Sequence, residues 1–457
     1  MKQLRTRAWM LLFFVAFLLL GTAFFCGRYV ADGSMWASSR VNSASYSGSR
    51  LARGALYDRN GTLLYDAARG SYAADKTLRT AALHLTGDSE GNIGQSALNA
   101  VSRHMVGFSP ITGLSGGTGH DVYLTVDAEL QSLAYQCLRG QKGAAVVYDY
   151  RSGEILCAVS TPSFDPFSPP KDIEGSDAYE GVYLNRVFSG LFAPGSTFKL
   201  VTTVAAIENI PDLMERSFTC TGKLELDGRR ITCPYKHGEM DFASALAHSC
   251  NCAFAELAVE LGGETLQKYA EQLGLLESFS VSGLSTAAGK FEIAESEGDL
   301  GWSGVGQHKD MVSPIAMLRL MGAAANGGTA LTPRIFLKEI GDFGVPVPTL
   351  SGKSSEKLME PSTAETLYQL MLNNVELEYG VIFKGLIAGA KSGTAEVGEG
   401  KSPHSWFVGF ISDEDVPLAF AVVVQNGGSG LKNAGAIADR LVAQASKLYR
   451  TEEAPAS

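Results

Sequence analysis

Cysteine is scarce in this chain, with seven in 457 residues. That density excludes a small domain held together by disulfides. No long Lys/Arg run is present, and 38 basic against 48 acidic side chains leave a formal charge of −10. Such a balance argues against a nucleic-acid backbone as partner. The seven cysteines and seven histidines form no H-x-x-E-H or C-x-x-C pattern. The sequence therefore predicts no metal and no cofactor. No internal repeat is visible. What is present is a folding composition: 45% apolar, 19% charged and 51 glycines. It excludes a collagen-like fibre and a disordered acidic chain.

Long apolar runs are also missing, with one exception. Residues 8–27 (AWMLLFFVAFLLLGTAFFCG) carry no charge. At ~1.5 Å per residue they span about 30 Å, the thickness of a bilayer core, as one transmembrane helix. A cleaved signal peptide has a shorter apolar core and an A-x-A-like site, which is missing here. A lipoprotein needs small residues before Cys26, where Phe24 and Phe25 stand. Lys2, Arg5 and Arg7 precede the run, which predicts residues 1–7 in the cytoplasm and the rest of the chain outside the membrane.

The polar residues 28–50 read as a stalk. Residues 53–66 (RGALYDRNGTLLYD) read as a hairpin turning at Asn60-Gly61. Residues 121–127 read as a strand, and Asp127 caps a helix through Leu138. Together residues 28–139 form a stalk and small pedestal. From 143 two strands flank a turn at 151–153, the second ended by Pro162. Helical patterns occupy 196–209, 241–261 and 312–325. Residues 405–411 and 417–426 read as adjacent antiparallel strands, 433–449 as an amphipathic helix and 451–457 as a disordered tail. Strands at both ends with helices between predict an α+β domain over 140–450, one antiparallel sheet flanked by helices.

Three short motifs carry the chemistry. S-x-x-K occurs at Ser168, Ser196, Ser354 and Ser429. Pro169 and Pro170 deny a helical register to the first. Ser354 lies in a polar linker and Ser429 in a glycine-rich turn. Only Ser196 opens an apolar-periodic run, which places Lys199 one helical turn on, on the same face. A serine hydroxyl is a weak nucleophile until a base removes its proton, and a lysine is that base only when its pKa falls. Ser249-Cys-Asn251 is the single S-x-N and Lys391-Ser392-Gly393 the single K-[ST]-G. Ser249 can relay a proton and Asn251 can hold a substrate amide. Lys391, Ser392 and Thr394 offer charge and hydroxyls to a carboxylate. Gly393 leaves room for a substrate backbone.

In this order the motifs resemble those of penicillin-recognising serine transpeptidases and β-lactamases. Arg53-Gly54, DRNG at 58–61, GHDVYLTVDAELQ at 119–131, APGSTFK, HSCN, AKSGTAE and SWFVGF are similar to segments of class B, monofunctional penicillin-binding proteins, in particular the compact elongation or spore type. The resemblance covers residues 50–445. It implies a penicillin-binding/serine β-lactamase-like transpeptidase domain, with a dimerisation-like pedestal. It also implies a peptidoglycan D,D-transpeptidase in a bacterial cell membrane. Ser196 would be acylated by a stem-peptide D-Ala-D-Ala, with Lys199 as general base and Ser249 passing the proton to the leaving D-Ala. Asn251 would hold the donor amide, and Lys391, Ser392 and Thr394 the carboxylate. The backbone N–H groups of Ser196 and Thr394 would form the oxyanion hole. β-Lactams would acylate Ser196, and a polytopic glycosyltransferase of the shape, elongation, division and sporulation (SEDS) family would be the partner. Phe167, where members often carry Asn, and His308, where Gly is common, depart from the pattern.

Cys220 and Cys233 surround a hairpin-like stretch and are candidates for a disulfide. Cys250 and Cys252 flank Asn251 and read as packing residues. His237 and His404 read as loop residues at a polar surface or substrate edge. The competing functions are a β-lactam sensor, which needs more membrane spans, and a β-lactamase or D,D-carboxypeptidase. A β-lactamase requires a group activating deacylating water, which the sequence does not reveal. A dead scaffold is disfavoured by three intact motifs.

Overall fold

The computed structural model describes residues 2–38, 54–106, 108–109, 113–114, 119–341, 344–347, 354–398 and 400–450. Arg53, residues 39–50 of the expected stalk and the expected disordered tail lie outside the described residues. The first helix, Lys2–Ser38, runs past the apolar segment, so the expected stalk begins as helix. Its span Arg5–Val30 has a mean hydropathy of 2.4 and buries none of its surface. Among the described residues it is the one helix long and apolar enough to cross a membrane.

The expected pedestal contributes four strands to a six-stranded sheet. Its hairpin pairs Ala55–Tyr57 with Leu63–Asp66. The turn is longer than the expected Asn60-Gly61 pair, because Asp58 organises it. One Asp58 carboxylate oxygen accepts the N–H groups of Asn60 (2.9 Å) and Thr62 (2.6 Å), and the other accepts from Ala128 (3.0 Å). Asn60 donates to Asp127, which caps helix Ala128–Leu138 through the Leu130 N–H. The DRNG segment thus ties the pedestal to the first helix leading into the next domain. Strand Asp121–Leu124 runs parallel to Ala55–Tyr57 on one side and antiparallel to Phe336–Ile340 on the other. The sheet therefore includes a strand from far along the chain, which local patterning could not reveal.

The larger domain centres on a five-stranded antiparallel sheet. Its order is Ala388–Ala395, His404–Ile411, Leu418–Val424, Gly143–Asp149 and Ile155–Thr161. Side chains alternate between two cores. Ala144, Val146, Tyr148, Trp406, Val408 and Val423 pack with helix Pro314–Ala325. Ala145, Val147, Phe407, Phe420 and Val422 pack with Leu441 and Val442 of helix Ala436–Arg450. Burial on both faces explains why these strands read as nearly unbroken apolar runs. The strand bearing Lys391 is at the sheet's edge, so one of its backbone sides is open.

Candidate active site

The site forms where the edge strand meets a helix start and a helix break. Residues Gly195–Thr197 make a 3₁₀ turn that leads into helix Lys199–Asn209. Gly195 has φ +53, and a Cβ there would lie 2.9 Å from the Thr394 carbonyl oxygen, so glycine is required on both counts. This turn holds Ser196 half-buried against the edge strand.

The helical pattern expected over 241–261 breaks into Phe242–Ala247 and Asn251–Leu261. Ser249 sits at the break with φ +54, a conformation that costs a non-glycine residue energy. The break turns Ser249 towards Lys199.

Lys199 is fully buried and its Nζ has four oxygen neighbours. They are Ser249 O at 2.6 Å, Asn251 Oδ1 at 2.7 Å, Ser249 Oγ at 3.0 Å and Ser196 Oγ at 3.2 Å. The Asn251 amide orientation follows from its Nδ2, which donates to Thr232 O at 2.6 Å. Two of the four neighbours are pure acceptors. A neutral amine has two N–H groups for those carbonyl oxygens and one lone pair left for a hydroxyl proton. The geometry therefore suits a neutral Lys199 accepting from Ser196. Burial lowers the Lys199 pKa to about 7, opposed by the nearby Cys250, Cys233 and Cys252 sulfurs.

The sign of the pH effect follows. The protonated amine dominates below pH 7 and the neutral base above it. Acylation of Ser196 is expected to rise about tenfold per unit below neutrality and to level off above it. Stopped-flow acylation by a chromogenic β-lactam measures this. A rate still climbing near pH 9, as an unshifted lysine would give, contradicts it.

Lys391 is also fully buried, and its pKa falls well below the ordinary lysine value through burial and then through the neighbouring Lys199 charge. Its Nζ lies 3.1 Å from Ser249 Oγ and 3.1 Å from Ser392 O. Ser249 Oγ thus bridges two lysines. Ser196, Lys199, Ser249, Asn251 and Lys391 form one connected network. Strand alternation turns Ser392 and Thr394 to the other face from Lys391. Ser392 Oγ contacts Tyr379 Oη at 2.9 Å, and Thr394 Oγ1 accepts from the Gly430 N–H at 3.3 Å.

Gly393 differs from the sequence expectation. The space its missing side chain leaves is filled by the protein: a Cβ would lie 2.9 Å from Pro194 O and 2.9 Å from Thr197 Cγ2. The glycine lets the Ser196 turn dock on the strand. The Thr394 carbonyl accepts from Gln307 Nε2 at 2.8 Å on the strand's open side. A strand residue's N–H leaves on the same side as its C=O, so the Thr394 N–H faces that open edge beside Ser196.

Sequence reasoning missed Tyr379, which receives the Ser392 N–H at 3.1 Å, and Gln307, whose Oε1 accepts the Glu396 N–H. Neither belongs to a motif. The candidate Cys220–Cys233 pair is not bridged, and all seven cysteines are free thiols. Cys233 instead lies beside Cys250 and Cys252. His237, expected at a polar surface, is partly buried against Cys220.

A family model described as penicillin binding protein transpeptidase domain matches residues 143–444. The chain belongs to the penicillin-binding protein transpeptidase family. This transpeptidase is 29% identical over 345 residues to peptidoglycan D,D-transpeptidase PbpA of Mycolicibacterium smegmatis, covering 69% of this chain and 70% of that one. It is 30% identical to stage V sporulation protein D of Bacillus subtilis, over 71% of this chain and 52% of that protein. Among solved structures, the D,D-transpeptidase domain of a peptidoglycan glycosyltransferase from Eggerthella lenta superposes with a TM-score of 0.75. It has 25% identity and covers 88% of this chain and 99% of that one. Penicillin-binding protein A from Mycobacterium tuberculosis, solved as a ceftriaxone acyl-enzyme, shares the fold with a TM-score of 0.74, 24% identity and coverage of 86% and 98%.

Proposed function

We propose that this transpeptidase is a membrane-anchored peptidoglycan D,D-transpeptidase that works through a Ser196 acyl-enzyme and is inhibited by β-lactams. The observation that carries the reading is the buried Lys199 Nζ 3.2 Å from Ser196 Oγ, held by Ser249 O at 2.6 Å and Asn251 Oδ1 at 2.7 Å.

Ser196 Oγ attacks the carbonyl carbon between the two terminal D-alanines, and its proton passes to Lys199. The Ser196 and Thr394 N–H groups receive the oxyanion. Ser249, in contact with both Lys199 and Lys391, hands a proton to the departing D-alanine nitrogen as the C–N bond breaks. An amine of a second stem peptide then attacks the ester, forms the cross-link and restores the Ser196 hydroxyl. Asn251 holds the donor amide. The terminal carboxylate binds along the open edge of the strand Ala388–Ala395, reached by Lys391 from one face and by the Ser392 and Thr394 hydroxyls from the other. A β-lactam opens on Ser196 in the same way, but its leaving nitrogen stays tethered. No metal or cofactor enters these steps.

In this reading residues 8–27, within the apolar helix span Arg5–Val30, anchor the chain, residues 1–7 are cytoplasmic, and the pedestal over 28–139, its sheet completed by Phe336–Ile340, carries the domain over 140–450 on the cell-wall side. The family likeness supports a polytopic SEDS-type glycosyltransferase as partner, held through the anchor and pedestal. Deleting residues 28–120 is expected to abolish co-purification of that partner.

The test is product analysis with a D-Ala-D-Ala stem peptide and an amine acceptor. Mass spectrometry is expected to find released D-alanine together with the cross-linked amide, and neither with Ser196→Ala. Release of D-alanine with water as the only acceptor would make the protein a carboxypeptidase.

A further inference from the structure

Behind the acyl-transfer network lies a second group of reactive side chains. The ligand atoms of Cys220, Cys233, His237 and Cys250 all lie within 4.8 Å of one another. Cys220 ends strand Ser217–Cys220 and Cys233 follows strand Arg229–Thr232. His237 precedes strand Gly238–Asp241, and Cys250 is the N-cap of helix Asn251–Leu261. The intervals of twelve, three and twelve residues between them hide the group from short-spaced metal patterns.

Distances separate the uses a thiol cluster can have. Disulfide sulfurs lie about 2.05 Å apart. Here Cys233 Sγ is 3.8 Å from Cys250 Sγ and 3.6 Å from Cys252 Sγ. A tetrahedral zinc ion with ~2.3 Å bonds to sulfur sets its thiolates about 3.8 Å apart. His237 Nδ1 is 3.3 Å from Cys220 Sγ, close to the corresponding nitrogen–sulfur edge. The other ring nitrogen, Nε2, is buried without a hydrogen-bond partner. Cys233 Sγ also accepts the Asn251 N–H at 3.2 Å, an interaction that favours a thiolate. Three thiols and an imidazole are soft donors, suited to zinc rather than to magnesium or calcium.

We propose that Cys220, Cys233, His237 and Cys250 bind one zinc ion that fixes the Ser249–Asn251 segment in its working position. Each ligating thiol gives its proton to solvent, and no redox change occurs. Cys250 lies between the two motif residues. Bonding it to the ion holds the left-handed Ser249 in place and steadies Asn251, which already leans on the same hairpin through Thr232. The metal site stands on ligand geometry alone. Its effect on acylation rests on the transpeptidase reading.

The test uses the full chain, purified in detergent with a phosphine reductant and without chelator. Elemental analysis is expected to find about one zinc per chain, as isolated or after zinc addition. Cobalt substitution is expected to give thiolate charge-transfer absorption. Cys220→Ser and His237→Ala weaken zinc binding about tenfold or more, and Cys252→Ser retains it. Chelation slows penicillin acylation about tenfold and zinc restores it. A protein that stays metal-free with zinc supplied, yet takes penicillin at full rate, overturns the site and leaves the transpeptidase reading intact. Two thiols missing from the count in a parallel sample purified without the reductant, with no zinc, overturn it in favour of a disulfide. Full zinc with acylation indifferent to its removal overturns the positioning role. Full zinc in a protein that takes no penicillin supports the site and removes the transpeptidase reading.

Discussion

Lys199→Met is expected to slow acylation of Ser196 by about 10²–10⁴-fold, or roughly 3–5 kcal/mol of transition-state stabilisation. Lys199 is the general base in this account, and no other described group within hydrogen-bonding distance of Ser196 Oγ is a base. Methionine has a similar reach and suits a fully buried position, so the fold survives the change. The Ser249 carbonyl and Asn251 Oδ1 each lose a donor, which costs about 1 kcal/mol apiece. Acylation by a fluorescent penicillin reads the rate, and thermal melting checks that the protein remains folded. A folded variant that acylates within tenfold of wild type would remove Lys199 from the mechanism.

Gly393→Ala is the second large effect, and it separates two meanings of one residue. If the glycine served only to admit substrate backbone, an added methyl would mainly weaken substrate binding. The structure places Pro194 O and Thr197 Cγ2 in that space, with Trp406 Cβ at 3.1 Å from the would-be methyl. The methyl therefore pushes the Ser196 turn away from the edge strand. Displacing a nucleophile by a fraction of an ångström to an ångström costs up to about 10²-fold in rate. The expected result is a drop of that order in the acylation rate constant at saturating β-lactam. A variant with an unchanged rate constant and only a raised half-saturation concentration would favour the substrate-space reading.

Much of the catalytic domain is legible from the sequence for physical reasons. Residues 405–411 and 417–426 read as strands because both faces are buried and the apolar run is unbroken. Asp127 marks a helix start because its side chain accepts the third N–H of the following helix. The motif residues around Ser196, Ser249 and Lys391 stand out because their combination is rare.

Other parts are hidden. The edge strand Ala388–Ala395 is AGAKSGTA, with no β-branched residue but one threonine, and pairing with His404–Ile411 rather than propensity makes it a strand. The break at Ser249 disappears inside a helical pattern, because the apolar spacing continues through it. Phe336–Ile340 joins the pedestal across two hundred residues of chain, beyond the reach of local periodicity. Tyr379 and the Cys220–Cys233–His237–Cys250 group depend on tertiary approach, and their sequence spacing carries no signature.

The most direct measurement is the site of acylation. Benzylpenicillin is added to the purified full chain, and the intact mass and a proteolytic map are recorded over time. One penicilloyl adduct per chain is expected, located on the peptide containing Ser196, persisting over minutes and missing from Ser196→Ala. An adduct on another residue, or equal labelling of Ser196→Ala, would show that Ser196 is not the nucleophile.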